Sequence, residues 1–112
     1  MPTIDITNDN FDDVTERSPL LLLDFWAPWC GPCQGFAPYY EEASQRHPDV
    51  VFGKINTEAE ATLAKQFEIF SVPTLMAVKD GTIFYARPGV IAPHKLEELI
   101  KDLRAFVPEE ES

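Results

Sequence analysis

The run Leu20-Leu21-Leu22-Leu23-Asp24-Phe25-Trp26 constrains this chain more than any other segment. It is far too short to span a bilayer, and Pro19 and Pro28 bound it. Leucine is an indifferent strand former, but a short apolar run between breakers reads as a strand buried on both faces. Such a strand needs a covering layer on each side, so it belongs at the centre of a sheet.

The flanking segments supply those layers. Thr3–Ile6 reads as a short strand, followed by Thr7 as an N-cap and a short helix carrying Phe11 and Val14. From Gly31 to Arg46 the pattern is helical, with Phe36, Tyr40 and Ala43 on one face and Pro38 inside, where it should kink the helix. Val50–Ile55 is a second buried strand. Thr57 and Glu60 match a capping box, and Ala59, Leu63 and Phe67 mark the buried face of the helix after it. Thr74–Lys79 and Thr82–Arg87 flank Asp80-Gly81, a strong hairpin signal that makes these strands antiparallel. Pro93 opens a last helix with Leu96, Leu99, Ile100 and Leu103 at i, i+3, i+4 and i+7. The expected class is α/β: a five-stranded mixed sheet with four helices on both faces. One domain is expected over residues 1–107, with 108–112 as a frayed acidic tail.

Charge and cysteine count narrow the functions. The formal charge is −10, with the 9 basic residues scattered, so neither a nucleic acid nor a membrane surface is an expected partner. The amino terminus lacks the basic and apolar regions of a secretory signal, which points to a soluble cytoplasmic protein, and a monomer is expected. Two cysteines are too few to staple a scaffold, and a reducing compartment favours a catalytic or metal-binding pair.

Both lie in Trp29-Cys30-Gly31-Pro32-Cys33, where the central strand passes into a helix. Near the N-cap, the Cys30 sulfur faces unpaired backbone N–H groups and the positive end of the helix dipole, which stabilise thiolate over thiol. Cys33 sits one turn along the same face, within reach of Cys30 but less exposed and less activated. Two unequal thiols suit disulfide exchange: Cys30 attacks a substrate disulfide and Cys33 resolves the mixed disulfide. Pro32 fixes the first turn where its missing N–H costs little. Zinc would need four ligands, and His47 and His94 lie at the wrong spacing. Two unreactive buried cysteines are the competing reading.

The segment Asp24 to Cys33, followed by Ala37-Pro38, closely resembles the thioredoxin signature, and Val72-Pro73-Thr74 with Gly89 matches later landmarks of that family. The resemblance runs from about Ile4 to Phe106. It implies the thioredoxin fold and a thiol-disulfide oxidoreductase acting as a general protein-disulfide reductant. No bound cofactor or metal is implied. Electrons would come from NADPH through a thioredoxin reductase and pass to disulfide-containing protein substrates.

By the same resemblance, Asp24 matches a buried carboxylate that relays a proton as Cys33 becomes a thiolate. Burial would raise its pKa towards neutrality; the alternative is an Asp that pairs with Lys54, the matching family lysine. Pro73 matches the family's cis-proline, and a trans proline at the start of an edge strand is the alternative. If cis, it leaves the backbone of Val72 free to pair with an extended substrate. Trp29, Pro32, Val72, Pro73 and Gly89, with Gly31 in the turn, would form a shallow apolar platform around Cys30. Trp29 could equally be core. Gln34 stands where many relatives carry Lys, which removes a positive charge near Cys30, and Gly35 weakens the helix. Phe70 either widens the platform or packs inward. Two other readings stay open: a redox-independent binding or chaperone-like module using the platform, and an oxidase or isomerase of the same fold.

Overall fold

β2 (Leu20–Trp26) is the middle strand of a five-stranded sheet, and Leu21 through Phe25 are all buried. The computed structural model describes residues 2–108. In chain order the elements are β1 (Thr3–Asp5), α1 (Phe11–Arg17), β2, α2 (Gly31–Arg46), β3 (Val51–Asn56), α3 (Ala61–Gln66), β4 (Thr74–Lys79), β5 (Thr82–Pro88) and α4 (Pro93–Ala105). The spatial order is β1-β3-β2-β4-β5. β3 runs parallel to β1 and β2, whereas β4 is antiparallel to β2 and β5 to β4, so the sheet is mixed as the pattern predicts. Asp80 and Gly81 both take positive φ, 48° and 83°, as a tight hairpin between right-twisted strands requires.

Alternation along β2 assigns the helices to faces. Leu22 points to the side of α2 and α4, where Phe36, Tyr40, Phe52, Leu96 and Ile100 pack. Leu21, Leu23 and Phe25 point to the other side, against Val14 of α1 and Leu63 of α3. Each fully buried side chain of this kind is worth about 1.5–3 kcal/mol, so the two clusters hold α2 and α4 on one face and α1 and α3 on the other. The Tyr40 hydroxyl donates to the Gly53 carbonyl at 2.8 Å and so satisfies its one polar atom. Gly53 is tightly enclosed: a Cβ there would lie 2.2 Å from Ile6 Cδ1 and 3.2 Å from Leu23 Cδ2.

Two caps differ from expectation. The N-cap of α1 is Asn10, not Thr7. Asn10 Oδ1 accepts from the Thr7 N–H at 2.8 Å, while Thr7 Oγ1 accepts from Asp9 at 3.2 Å, so both side chains are used in the turn before the helix. The capping box of Thr57 and Glu60 does not form. Thr57 Oγ1 donates to the Trp26 carbonyl at 3.1 Å, Glu60 accepts from Asn8 at 3.0 Å, and α3 starts only at Ala61. Asn56 closes that turn by accepting from the backbones of Glu58 and Ala59. Ala59 consequently lies before the helix and is exposed, and Ala64 joins Leu63 on the buried face. Of the expected acidic tail, residues 109–112 lie outside those described.

Candidate active site

At its carboxyl end β2 turns through Ala27-Pro28-Trp29 into α2, and Cys30 is the N-cap of that helix. Its sulfur accepts the Cys33 N–H at 3.1 Å, the contact expected of a sulfur facing a helix terminus. Cys30 and Cys33 are joined as a disulfide with Cα atoms 5.3 Å apart. The expected difference in exposure is absent in this form, because the two residues are 3% and 4% exposed. What distinguishes them is the helix-end hydrogen bond, received by Cys30 alone. Gly31 and Pro32, both exposed, occupy the first turn, where a missing N–H costs nothing. Gln34, exposed, donates from its side chain to the Pro28 carbonyl at 2.9 Å and so braces the turn without adding charge.

Around the disulfide lie three walls. Ala27 is buried against both cysteines, with Trp26 and Val72 packed on the same cluster. The Val72-Pro73 bond is cis. Gly89, at φ 99°, donates its N–H to the Pro73 carbonyl at 2.8 Å, which fixes the two loops together. Neither the N–H nor the carbonyl of Val72 forms a hydrogen bond among the described residues. Trp29 is not core: it is 67% exposed, and its indole N–H donates to the Glu58 carboxylate. Phe70 does not pack inward either, being 90% exposed. Trp29, Pro32 and Gly89 lie exposed beside half-buried Val72 and buried Pro73.

Asp24 is 1% exposed, and its Oδ1 has no hydrogen-bond partner among the described residues. Burial pushes its pKa up from 3.8 to about 7, partly opposed by the charge of Lys54. Lys54 is the cross-strand partner of Asp24, yet no ion pair joins them within 4 Å; its ammonium lies 5.1 Å from the centre of the Trp26 ring. The paired-Asp alternative is therefore not what the geometry shows. The Trp26 indole N–H is likewise buried without a partner among the described residues.

Sequence reasoning missed Glu58 and the unpartnered Trp26. A signal for Glu58 was present: parallel pairing of β2 and β3 brings their carboxyl ends together, and Thr57 donates its N–H to the Trp26 carbonyl at 2.8 Å. Any acid just past β3 is thus carried to the loop of Trp29. Among the described residues no group of three or more His, Cys, Asp or Glu is placed to hold a metal ion, and no helix is long and apolar enough to cross a membrane.

A mixed sheet covered on both faces, with a two-cysteine redox centre capping the helix that follows its middle strand, defines a thiol-disulfide oxidoreductase. The thioredoxin family model matches residues 2–104, so the chain belongs to the thioredoxin family. It is 44% identical over 102 residues to "Putative thioredoxin 2" of Streptomyces coelicolor, covering 91% of this chain and 76% of that protein. It is 46% identical over 78 residues to "Thioredoxin 1" of Synechococcus elongatus, covering 68% of this chain and 73% of that one. Among solved structures, a mutant thioredoxin from Halobacterium salinarum superimposes with a TM-score of 0.86 at 31% identity, covering 95% of this chain and 94% of that one.

Proposed function

We propose that the enzyme works as a reductant of protein disulfides, with Cys30 as nucleophile and Cys33 as resolving thiol. The observation that carries this is the Cys30 sulfur accepting a backbone N–H at the amino end of α2. In the reduced form the same N–H stabilises a Cys30 thiolate. That thiolate attacks one sulfur of a substrate disulfide, forming a mixed disulfide and releasing the other sulfur as a thiolate. Cys33 then loses its proton and attacks Cys30 Sγ, which closes the Cys30–Cys33 bond and releases the second substrate thiolate. The substrate gains two electrons and, with protons from solvent, ends as two thiols.

Asp24 is the proposed acceptor of the Cys33 proton. A carboxyl held at about 7 is a usable base near neutrality, and its unpartnered oxygen is available to receive one. Lys54 supports it by lowering that pKa from what burial alone would give. The free backbone of Val72 pairs with an extended substrate, and Trp29, Pro32, Pro73 and Gly89 form the surface around it. Regeneration falls to a thioredoxin reductase drawing on NADPH, and the chain acts as a cytoplasmic monomer.

Insulin-disulfide reduction tests the assignment. Cys30→Ser is expected to fall to the uncatalysed background, and full activity in that variant would overturn the assignment; partner binding that survives substitution of both cysteines would favour the redox-independent binding reading instead. The reduction potential of the Cys30–Cys33 pair against glutathione sets the direction. A strongly reducing value supports the reductant, and one near the oxidising extreme moves the enzyme to disulfide formation or isomerisation.

A further inference from the structure

A large apolar side chain left 90% exposed close in the chain to a redox centre calls for an explanation, and Phe70 is the most exposed large hydrophobic residue among those described. It does not stand out because its loop is loose. On one side Ile69 donates its N–H to Ala64 at 2.9 Å; on the other, Thr74 Oγ1 donates to the Ser71 carbonyl at 2.7 Å. The ring is therefore presented from a backbone fixed at both flanks. Phe70, Phe67, Ser71, Met76, Arg87 and Pro88 line an open groove of about 310 Å³.

The groove adjoins the loop at the reaction site: Ser71 and Thr74 of its lining flank Val72-Pro73 in the chain, and Pro88 precedes Gly89. Phe70 is two residues from Val72, whose side chain packs on the cysteine pair and whose backbone N–H and carbonyl are unused among the described residues. Two residues of chain span at most about 7 Å. A substrate strand paired with Val72 advances by about the same distance over two of its own residues and keeps both side chains on one face. We propose that Phe70 and this groove form a specificity subsite for a large apolar side chain of the substrate polypeptide, two residues along from the one paired with Val72. The occupant is a polypeptide because the same chain must reach both the cysteines and the groove, which a small disulfide cannot do. It is apolar because the groove is walled by Phe67, Met76 and Pro88 and capped by an exposed ring, and burying such surface is the favourable step. The subsite rests on Cys30 attacking substrates laid along Val72.

The test compares three disulfides: a peptide with Phe at each of the first three positions to either side of its cysteine, which covers every register in which a residue next to the cysteine, or the cysteine itself, pairs with Val72, the same peptide with Gly at those positions, and bis(2-hydroxyethyl) disulfide. The wild-type chain is expected to reduce the Phe peptide about tenfold faster in kcat/KM than the Gly peptide. Phe70→Ala should abolish that preference and leave the rate with bis(2-hydroxyethyl) disulfide unchanged, and Phe70→Leu should restore most of it. No preference in the wild type overturns the subsite, as does an equal loss on all three disulfides in Phe70→Ala, which would mean that Phe70 serves only the shape of the loop. A wild-type dimer in sedimentation that Phe70→Ala dissolves would assign the face to a second copy instead. A wild-type chain inert toward every disulfide removes the reductase reading itself, an outcome distinct from even rates across the three.

Discussion

Two groups of charges surround α2, and they sit in opposite conditions. Beneath the helix, Asp24 is buried with an unpartnered oxygen, and desolvation carries its pKa up to about 7. At the carboxyl end of the helix, Arg104 binds both oxygens of Asp49 at 2.8 and 2.9 Å. His47 lies between Arg104 and Glu97, at 2.7 and 2.8 Å, and Arg46 reaches Glu97 and Glu42. Because a guanidinium only donates, His47 Nδ1 must accept from it and Nε2–H donates to Glu97. Here the hydrogen bonds of Arg104 hold Asp49 below the usual carboxylate range. Burial alone would raise Glu97, but Arg46 and His47 bring it lower. One chain thus moves carboxylates in both directions: partners hold them ionised where they serve the surface, and burial raises one to about 7 where a proton must be exchanged.

The largest test of this contrast is Asp24→Asn. A folded-state pKa raised from 3.8 to about 7 means that the native protein prefers the protonated carboxyl. The stability this confers is full below the unfolded value and is lost as pH rises through about 7. Three units correspond to roughly 4 kcal/mol. Denaturant unfolding should therefore find Asp24→Asn more stable than the wild type by up to that amount at pH 8, with the gap closing below pH 4. A gap that ignores pH would break the comparison.

A smaller effect of the opposite sign is expected from Arg104→Ala. The Arg104 and Asp49 side chains are 38% and 50% exposed, so solvent screening limits the loss to below about 1 kcal/mol at pH 7. Asp49 is depressed, so its contribution is present above the unfolded pKa and is lost as pH falls through the folded one; the difference between variant and wild type should fade in acid. Equal gaps at pH 7 and pH 2 would show that Arg104 acts through packing. The smallest effect separates the two regions directly. In 1 M salt the Arg104→Ala loss should shrink by a few tenths of a kcal/mol, whereas the Asp24→Asn gain at pH 8 should hold, because buried groups are screened far less than exposed ones.

Patterns that depend on burial were legible from the sequence. Leu20–Trp26 became the central strand, Leu96, Leu99, Ile100 and Leu103 became the buried stripe of α4, and Asp80-Gly81 became the hairpin, because apolar spacing and turn chemistry are local properties. The cysteine pair was legible for the same reason, as two residues at a strand-to-helix junction. Polar choices at the ends of elements were less so. Thr57 and Glu60 have the spacing of a capping box, but the carboxyl end of β2 and the backbone of Asn8 offer them better partners, and such partners appear only once the strands are paired. Glu58 was legible only through the pairing of β2 with β3, because the Trp29 it accepts from lies 29 positions away in the chain. The exposure of Trp29 and Phe70 also depends on which surface the finished fold leaves uncovered.

Gly53 has a consequence for how sequences of this kind diverge. With Ile4 and Leu23 as its partners on the neighbouring strands and Ile6 Cδ1 standing 2.2 Å from where a methyl group would begin, the residue has no room of its own to vary. Overfilling a closed core costs about 1–3 kcal/mol. Positions 6 and 53 are therefore coupled: a methyl group at 53 displaces the far end of the Ile6 side chain, and a smaller residue at 6 relieves that displacement.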